Sequence, residues 1–186
     1  MKITERIIKA SQELAQAKGF NNMKMDELAQ QAGVSKRTIY RYFRSKEEVI
    51  EASLDTFMAE MDRQIENIMA QDLTASDVIK AVINNLIIYG QFIMNPMGLN
   101  DLRTYYPHLW KKIDAFRLER IRMVITKFIK QSHNALLHET DPRIVTAVIL
   151  ASIQAVVNPD FILENNLTFE ETANQLSKLM MAFFYL

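Results

Sequence analysis

Apolar side chains at Ile3, Ile7, Ala10, Leu14 and Ala17 return every three or four positions, which places them on one face of a helix. Gly19 follows, where a helix closes most easily. A second, short helix is expected over about residues 25–31, with Leu28, Ala29 and Ala32 inward and Gly33 breaking it. A third runs from about 36 to 43. A fourth begins near Ser45, which can cap it, while Glu47 and Glu48 favour its first turn. Its apolar positions Val49, Leu54, Phe57, Met61, Ile65 and Ile68 describe one long helix leaving the N-terminal segment.

Punctuation divides the rest. Thr74 or Ser76 can cap a helix over about 78–94, which Asn95-Pro96-Met97-Gly98 ends. A short helical piece at about 99–105 leads to Pro107, and a long helix follows to about 137. Asp141-Pro142 joins an N-cap to a proline at the first helical position, opening a helix over about 143–157. Asn158-Pro159 stops it. Thr168 with Glu171 forms a capping box for a last helix reaching about 184. The expected chain is all-α, with about nine helices and no strand. Glycine and proline, four each, are too few for the regular turns of a strand-rich fold.

Composition narrows the function. With no cysteine there is neither a disulfide framework nor a thiolate metal site. Three dispersed histidines, no His-Glu-x-x-His, no glycine-rich phosphate loop and no nucleophile elbow leave no expected metal, cofactor or enzymatic activity. Glu5 and its polar neighbours interrupt any signal-peptide core, and the apolar run at 146–157 is shorter than the ~20 residues of a membrane span. A cytoplasmic protein without a membrane partner is expected. Net charge is zero, but it is unevenly spread. Residues 1–46 carry ten Lys/Arg against four Asp/Glu, a net +6, whereas 47–186 carry twelve against eighteen. A basic head on an acidic body suits docking on phosphates.

The head contains a specific spacing. Ala29 is small where two helices approach, Gly33 sits in the turn, and Val34 and Ile39 pack the next helix back on the previous one. This is the corner of a helix-turn-helix, whose second helix enters the DNA major groove. On that helix Lys36, Arg37 and Tyr40 occupy the start and exposed face, where side chains meet base edges. Arg37 can pair bidentately with a guanine. Ser35 can cap the helix and offer its hydroxyl to a phosphate.

The stretch AGVSKRTIYRYFRSKEEVI, residues 32–50, resembles the N-terminal signature of the TetR family of regulators. Gly19-Phe20 and Asp26-Glu27-Leu28-Ala29 fit the same pattern. The family usually opens its second helix with a Thr-Thr pair, but Met23 and Lys24 stand there in this chain. Lysine cannot cap, so Asn22 or water is expected to satisfy the free N–H groups, and Lys24 to reach a phosphate as a point charge. The resemblance implies that Thr38, Tyr42 and Lys46 touch the sugar-phosphate backbone, holding register rather than reading sequence.

The body is expected to supply a dimer and a ligand site. The helix over 143–157 is apolar nearly all round, with Ala147, Ala151 and Ala155 in a small-residue row, so it must bury two faces. One suits a two-fold mate, with Leu176 and Met180 of the last helix beside it. The resemblance implies the same homodimer, and also a small-molecule effector pocket, which Tyr89, Phe92, Met94, Tyr105, Trp110 and Phe116 could line. The expected organisation is a DNA-binding domain at 1–46 and a helical effector-binding and dimerisation domain at 47–186. The expected function is a dimeric repressor released from palindromic double-stranded DNA by a small molecule. The alternative is a DNA-binding architectural protein that controls no promoter.

Overall fold

Capping chemistry sets most of the helix limits in the computed structural model, which describes residues 2–94, 96–131 and 134–185. Among the described residues the chain is all-α. Its helices are α1 (Ile3–Lys18), α2 (Met25–Ala32), α3 (Lys36–Tyr42), α4 (Lys46–Met69), α5 (Ala75–Tyr89), α6 (Gln91–Met94), α7 (Pro96–Tyr105), α8 (Pro107–Gln131), α9 (Ala135–Glu139), α10 (Pro142–Val156), α11 (Pro159–Glu164) and α12 (Phe169–Tyr185).

Among the described residues the nine expected helices each have a counterpart and three short ones, α6, α9 and α11, join them; the helix expected to run to about 137 is described to Gln131, with α9 following from Ala135. The helix expected over 78–94 is two: α5 begins three residues earlier, because Thr74 accepts the Asp77 N–H at 3.3 Å, and it stops before Gly90. Glycine weakens a helix interior by roughly 0.5–1 kcal/mol. Pro96, read as a terminator, instead occupies the first position of α7, where its missing N–H is not needed. Asn158-Pro159 ends α10 and also starts α11, since the Asn158 carboxamide accepts the Phe161 N–H at 2.9 Å. The capping box of α12 forms as the sequence predicts: Thr168 Oγ1 accepts the Glu171 N–H at 3.1 Å, and Glu171 accepts the Thr168 N–H at 2.9 Å.

Two compact units result. The first comprises residues 1–62 with 88–113, and the second 63–87 with 114–186. The packed unit around the helix-turn-helix is therefore larger than the segment 1–46, because it takes in α6, α7 and the start of α8. Phe92 of α6 explains why. Its ring meets Phe20 at 6.1 Å and Phe57 at 5.8 Å between centroids, both edge-on, an arrangement worth about 0.5–1.5 kcal/mol per pair beyond burial. Ile7, Leu28, Ile50, Leu54, Leu102 and Leu109 are fully buried in the same unit. On its surface Lys112 of α8 bridges Glu51 and Asp55 of α4 at 2.8 and 2.6 Å, and His108 meets Glu47 at 3.0 Å.

The second unit holds two apolar clusters. Ile68 and Val78 pack with Leu73, Val82 and Val124, joining the end of α4 to α5 and α8. Ile125, Ile129, Leu137, Val145 and Leu150 join α8, α9 and α10. No described helix is long and apolar enough to cross a membrane.

Candidate nucleic-acid interface

The reader is built from its turn outward. Gly33 ends α2 in the left-handed conformation, φ 63° and ψ 39°. The Val34 N–H then reaches back to the Ala29 carbonyl at 3.0 Å and the Gly33 N–H to the Gln30 carbonyl at 3.1 Å. This paired closure satisfies the last carbonyls of α2 and fixes the angle at which α3 departs. Arg6 of α1 locks the corner by donating to the Gly33 carbonyl at 2.8 Å. Ile39 is fully buried and pins α3 from within.

Ser35 caps α3, its Oγ accepting the Thr38 N–H at 3.0 Å and lying 2.8 Å from Thr38 Oγ1. Ser35→Ala should cost about 1 kcal/mol of stability. Urea melts would read this as a lowered midpoint, and an unmoved midpoint would show that the cap contributes nothing.

The sequence-named side chains fall into three groups. Arg37, Tyr40 and Tyr42 are exposed, and the Arg41 guanidinium lies 5.1 Å over the Tyr42 ring, a cation–π contact that steadies it. Lys36 is engaged: its Nζ donates to Asp26 Oδ2 at 3.0 Å, and that carboxylate pushes the lysine above its ordinary range. Lys46 is partly buried and donates to the Asn21 carbonyl at 2.6 Å. Burial holds its ammonium below the ordinary lysine range, against the pull of Asp101.

The start of α2 differs from expectation. Asn22 does not cap it: the Asn22 amide donates to the Lys18 carbonyl at 3.2 Å, at the end of α1. Lys24, exposed, stands at the cap position with no side-chain bond to offer, and Glu27 instead accepts the Lys24 N–H at 3.2 Å and pairs with Lys18. These contacts hold the Glu27 carboxyl below its usual range, Lys18 being the larger cause. Arg6, Asn21, Asp26 and Asp101 thus support the site from outside the assigned contact residues. Only Asp26 carried a local signal, as part of the α2 motif.

The six positions named for an effector pocket fall in both units. Phe92 is committed to the aromatic core of the first unit, and Tyr105 of the same unit is 54% exposed. Tyr89 is exposed and Trp110 half-buried, also in the first unit. The side chain of Met94 lies outside the described ones. Phe116 alone belongs to the second unit, half-buried beneath the Arg120 guanidinium. Of the named interface positions, Ala147, Ala151 and Ala155 are all exposed, whereas Leu176 and Met180 are half-buried.

A closed α2–turn–α3 corner with exposed Arg37 and Tyr40 has the build of a helix-turn-helix DNA reader. Residues 7–53 match the bacterial regulatory proteins of the tetR family. Over 174 residues, 92% of this chain and 90% of the relative, the sequence is 29% identical to the uncharacterised HTH-type transcriptional regulator YvaF of Bacillus subtilis. A transcriptional regulator of the TerR/AcrR family from Aquifex aeolicus shares the fold with a TM-score of 0.69 at 19% identity, covering 98% of this chain and 100% of that one. The regulator FadR of Bacillus subtilis, solved in complex with stearoyl-CoA, does so with a TM-score of 0.64 at 21% identity, covering 94% and 96%. Residues 7–53 thus carry the helix-turn-helix segment of the tetR family, and the chain as a whole has the fold of these solved regulators.

Proposed function

We propose that the protein is a dimeric repressor that holds a palindromic operator and is released by a small-molecule effector. The observation that carries the dimer is the outer face of α10. Ile144 and Val148 are 58% and 55% exposed, the row Ala147, Ala151 and Ala155 lies open beside them, and Leu179 of α12 is 64% exposed. Apolar residues gathered on one face in this way mark an interaction surface. A two-fold contact there would give two reading heads, which a palindrome requires.

On DNA, Lys36, Arg37 and Tyr40 are assigned to base edges, with Lys24, Ser35, Thr38, Tyr42 and Lys46 assigned to the backbone. Lys36 must exchange Asp26 for a base, so Arg37 and Tyr40 are the readers most free to act. The effector is assigned to the helical body. A long-chain acyl-CoA is the first ligand to test, because a relative of the same fold is solved with stearoyl-CoA. Release requires that the effector bind one spacing of the heads more tightly than the other.

The deciding experiment measures binding to the DNA upstream of the protein's own gene across a salt series. A palindrome should bind in the nanomolar range with a steep salt slope. Arg37→Ala should lose roughly 1–3 kcal/mol of discrimination at one base pair while leaving random duplex binding in place. No preference for any sequence over random duplex would sink the repressor reading.

A further inference from the structure

One turn of the reader is gripped by a helix that is not part of the motif. The chain between α1 and α2 passes through Gly19, whose φ of 79° and ψ of 170° carry it tightly past α7. No side chain stands there, and the vacated space holds the carboxylate of Asp101, buried at 8% exposure. Asp101 Oδ2 accepts the Asn21 N–H at 2.8 Å, across 80 positions of sequence. The carbonyl of the same Asn21 accepts from Lys46 Nζ at 2.6 Å. The acid of α7 and the first residue of α4 therefore hold opposite ends of one residue.

That arrangement matters because Lys46 is assigned to a phosphate. To reach one, its ammonium must leave the Asn21 carbonyl and the field of a buried carboxylate nearby. Tyr106 faces the same charge: burial raises its phenol above the usual range, and the negative charges of Glu47 and Asp101 add to that. Lys18 is the other cation whose field reaches Lys46.

From this geometry we infer that Asp101 is a positioning residue for DNA binding: through Asn21 it sets the entry of the reader, and its charge restrains Lys46 from the phosphate backbone. The inference rests on the assignment of Lys46 to the backbone. It gives α7 a direct hold on affinity, since any shift of α7 that withdraws Asp101 releases a cation to the DNA and loosens the turn before α2 at the same time.

Asp101→Asn separates the two roles, because the carboxamide oxygen still accepts the Asn21 N–H while the charge is gone. The readout is binding of the full-length protein to a 30-bp random-sequence duplex across a salt series. Random duplex isolates phosphate contacts and needs no operator. Wild-type binding to it checks the DNA-binding assignment independently. Asp101→Asn should bind about three- to fivefold tighter at low salt, the size of one Coulomb term in a water-like medium. The slope of log affinity against log salt should steepen by about one contact. In a Lys46→Met background the same change should have no effect.

Tightening that persists without Lys46, or weaker binding accompanied by a lower melting temperature, would overturn the inference in favour of a purely structural role. A variant-free measurement guards against misfolding. In the wild-type protein, amide exchange at Asn21 should be markedly slower than at its exposed neighbour Asn22, and equal rates would show that the Asp101 contact does not form.

Discussion

Replacing Gly19 by alanine should cost about 3 kcal/mol and abolish tight DNA binding. Its backbone, φ 79° and ψ 170°, lies in a region that essentially only glycine occupies, where other residues store roughly 1–3 kcal/mol. Space makes it worse. A Cβ at this position would overlap Asp101 Oδ2 and lie 3.3 Å from Asp101 Cγ and 3.4 Å from Met97 Cβ. Asp101 is buried and bonded to the Asn21 N–H, so it cannot swing aside without losing that bond. For a chain of this length, a loss of about 3 kcal/mol lowers the melting temperature by roughly 6–12 °C. Differential scanning calorimetry checks the stability and duplex binding checks the reader. A variant that melts within 2 °C of wild type would show that the turn before α2 accommodates a side chain.

The comparison with Gly33 shows what a sequence can and cannot reveal. Both glycines were legible as helix ends. Gly33 was also legible as a functional turn, because Ala29, Val34 and Ile39 surround it at fixed local spacing. The importance of Gly19 was not legible, because it depends on a carboxylate more than eighty positions away. The same division holds along the chain. Thr168 with Glu171, Asp141 before Pro142, and Ser35 before α3 are caps whose partners lie two or three residues on, and each is legible in the sequence. Phe92 carries no local signal telling a pocket wall from core. Its place between Phe20 and Phe57 is decided by how α6 returns to α1 and α4. The engagement of Lys36 by Asp26 is of the same kind: ten residues separate them, and only the folded corner makes them neighbours. What stays legible is chemistry closed within one turn of helix. What is lost is any residue whose partner is chosen by packing.

Ala151→Glu should convert the protein to a monomer without unfolding it, and take operator affinity with it. Ala151 sits mid-row on α10 between Ala147 and Ala155, exposed in the single chain, so a glutamate there meets water and leaves the cores around Val145 and Leu150 intact. Against a two-fold mate the outcome reverses. Each copy would bury an unpaired carboxylate, which costs roughly 3–5 kcal/mol, and symmetry imposes it twice. A loss on the order of 6 kcal/mol exceeds what most dimers can absorb at micromolar concentration. Sedimentation should therefore show one chain per particle, with an unchanged far-ultraviolet circular dichroism spectrum. Binding to a palindrome should fall by at least about 100-fold, because the second head is no longer held at high effective concentration. Random duplex, which a single basic head can grip, should be affected far less. A variant that still sediments as a dimer and still holds the palindrome would move the interface off α10. The exposed Ile144, Val148 and Leu179 would then need a different partner.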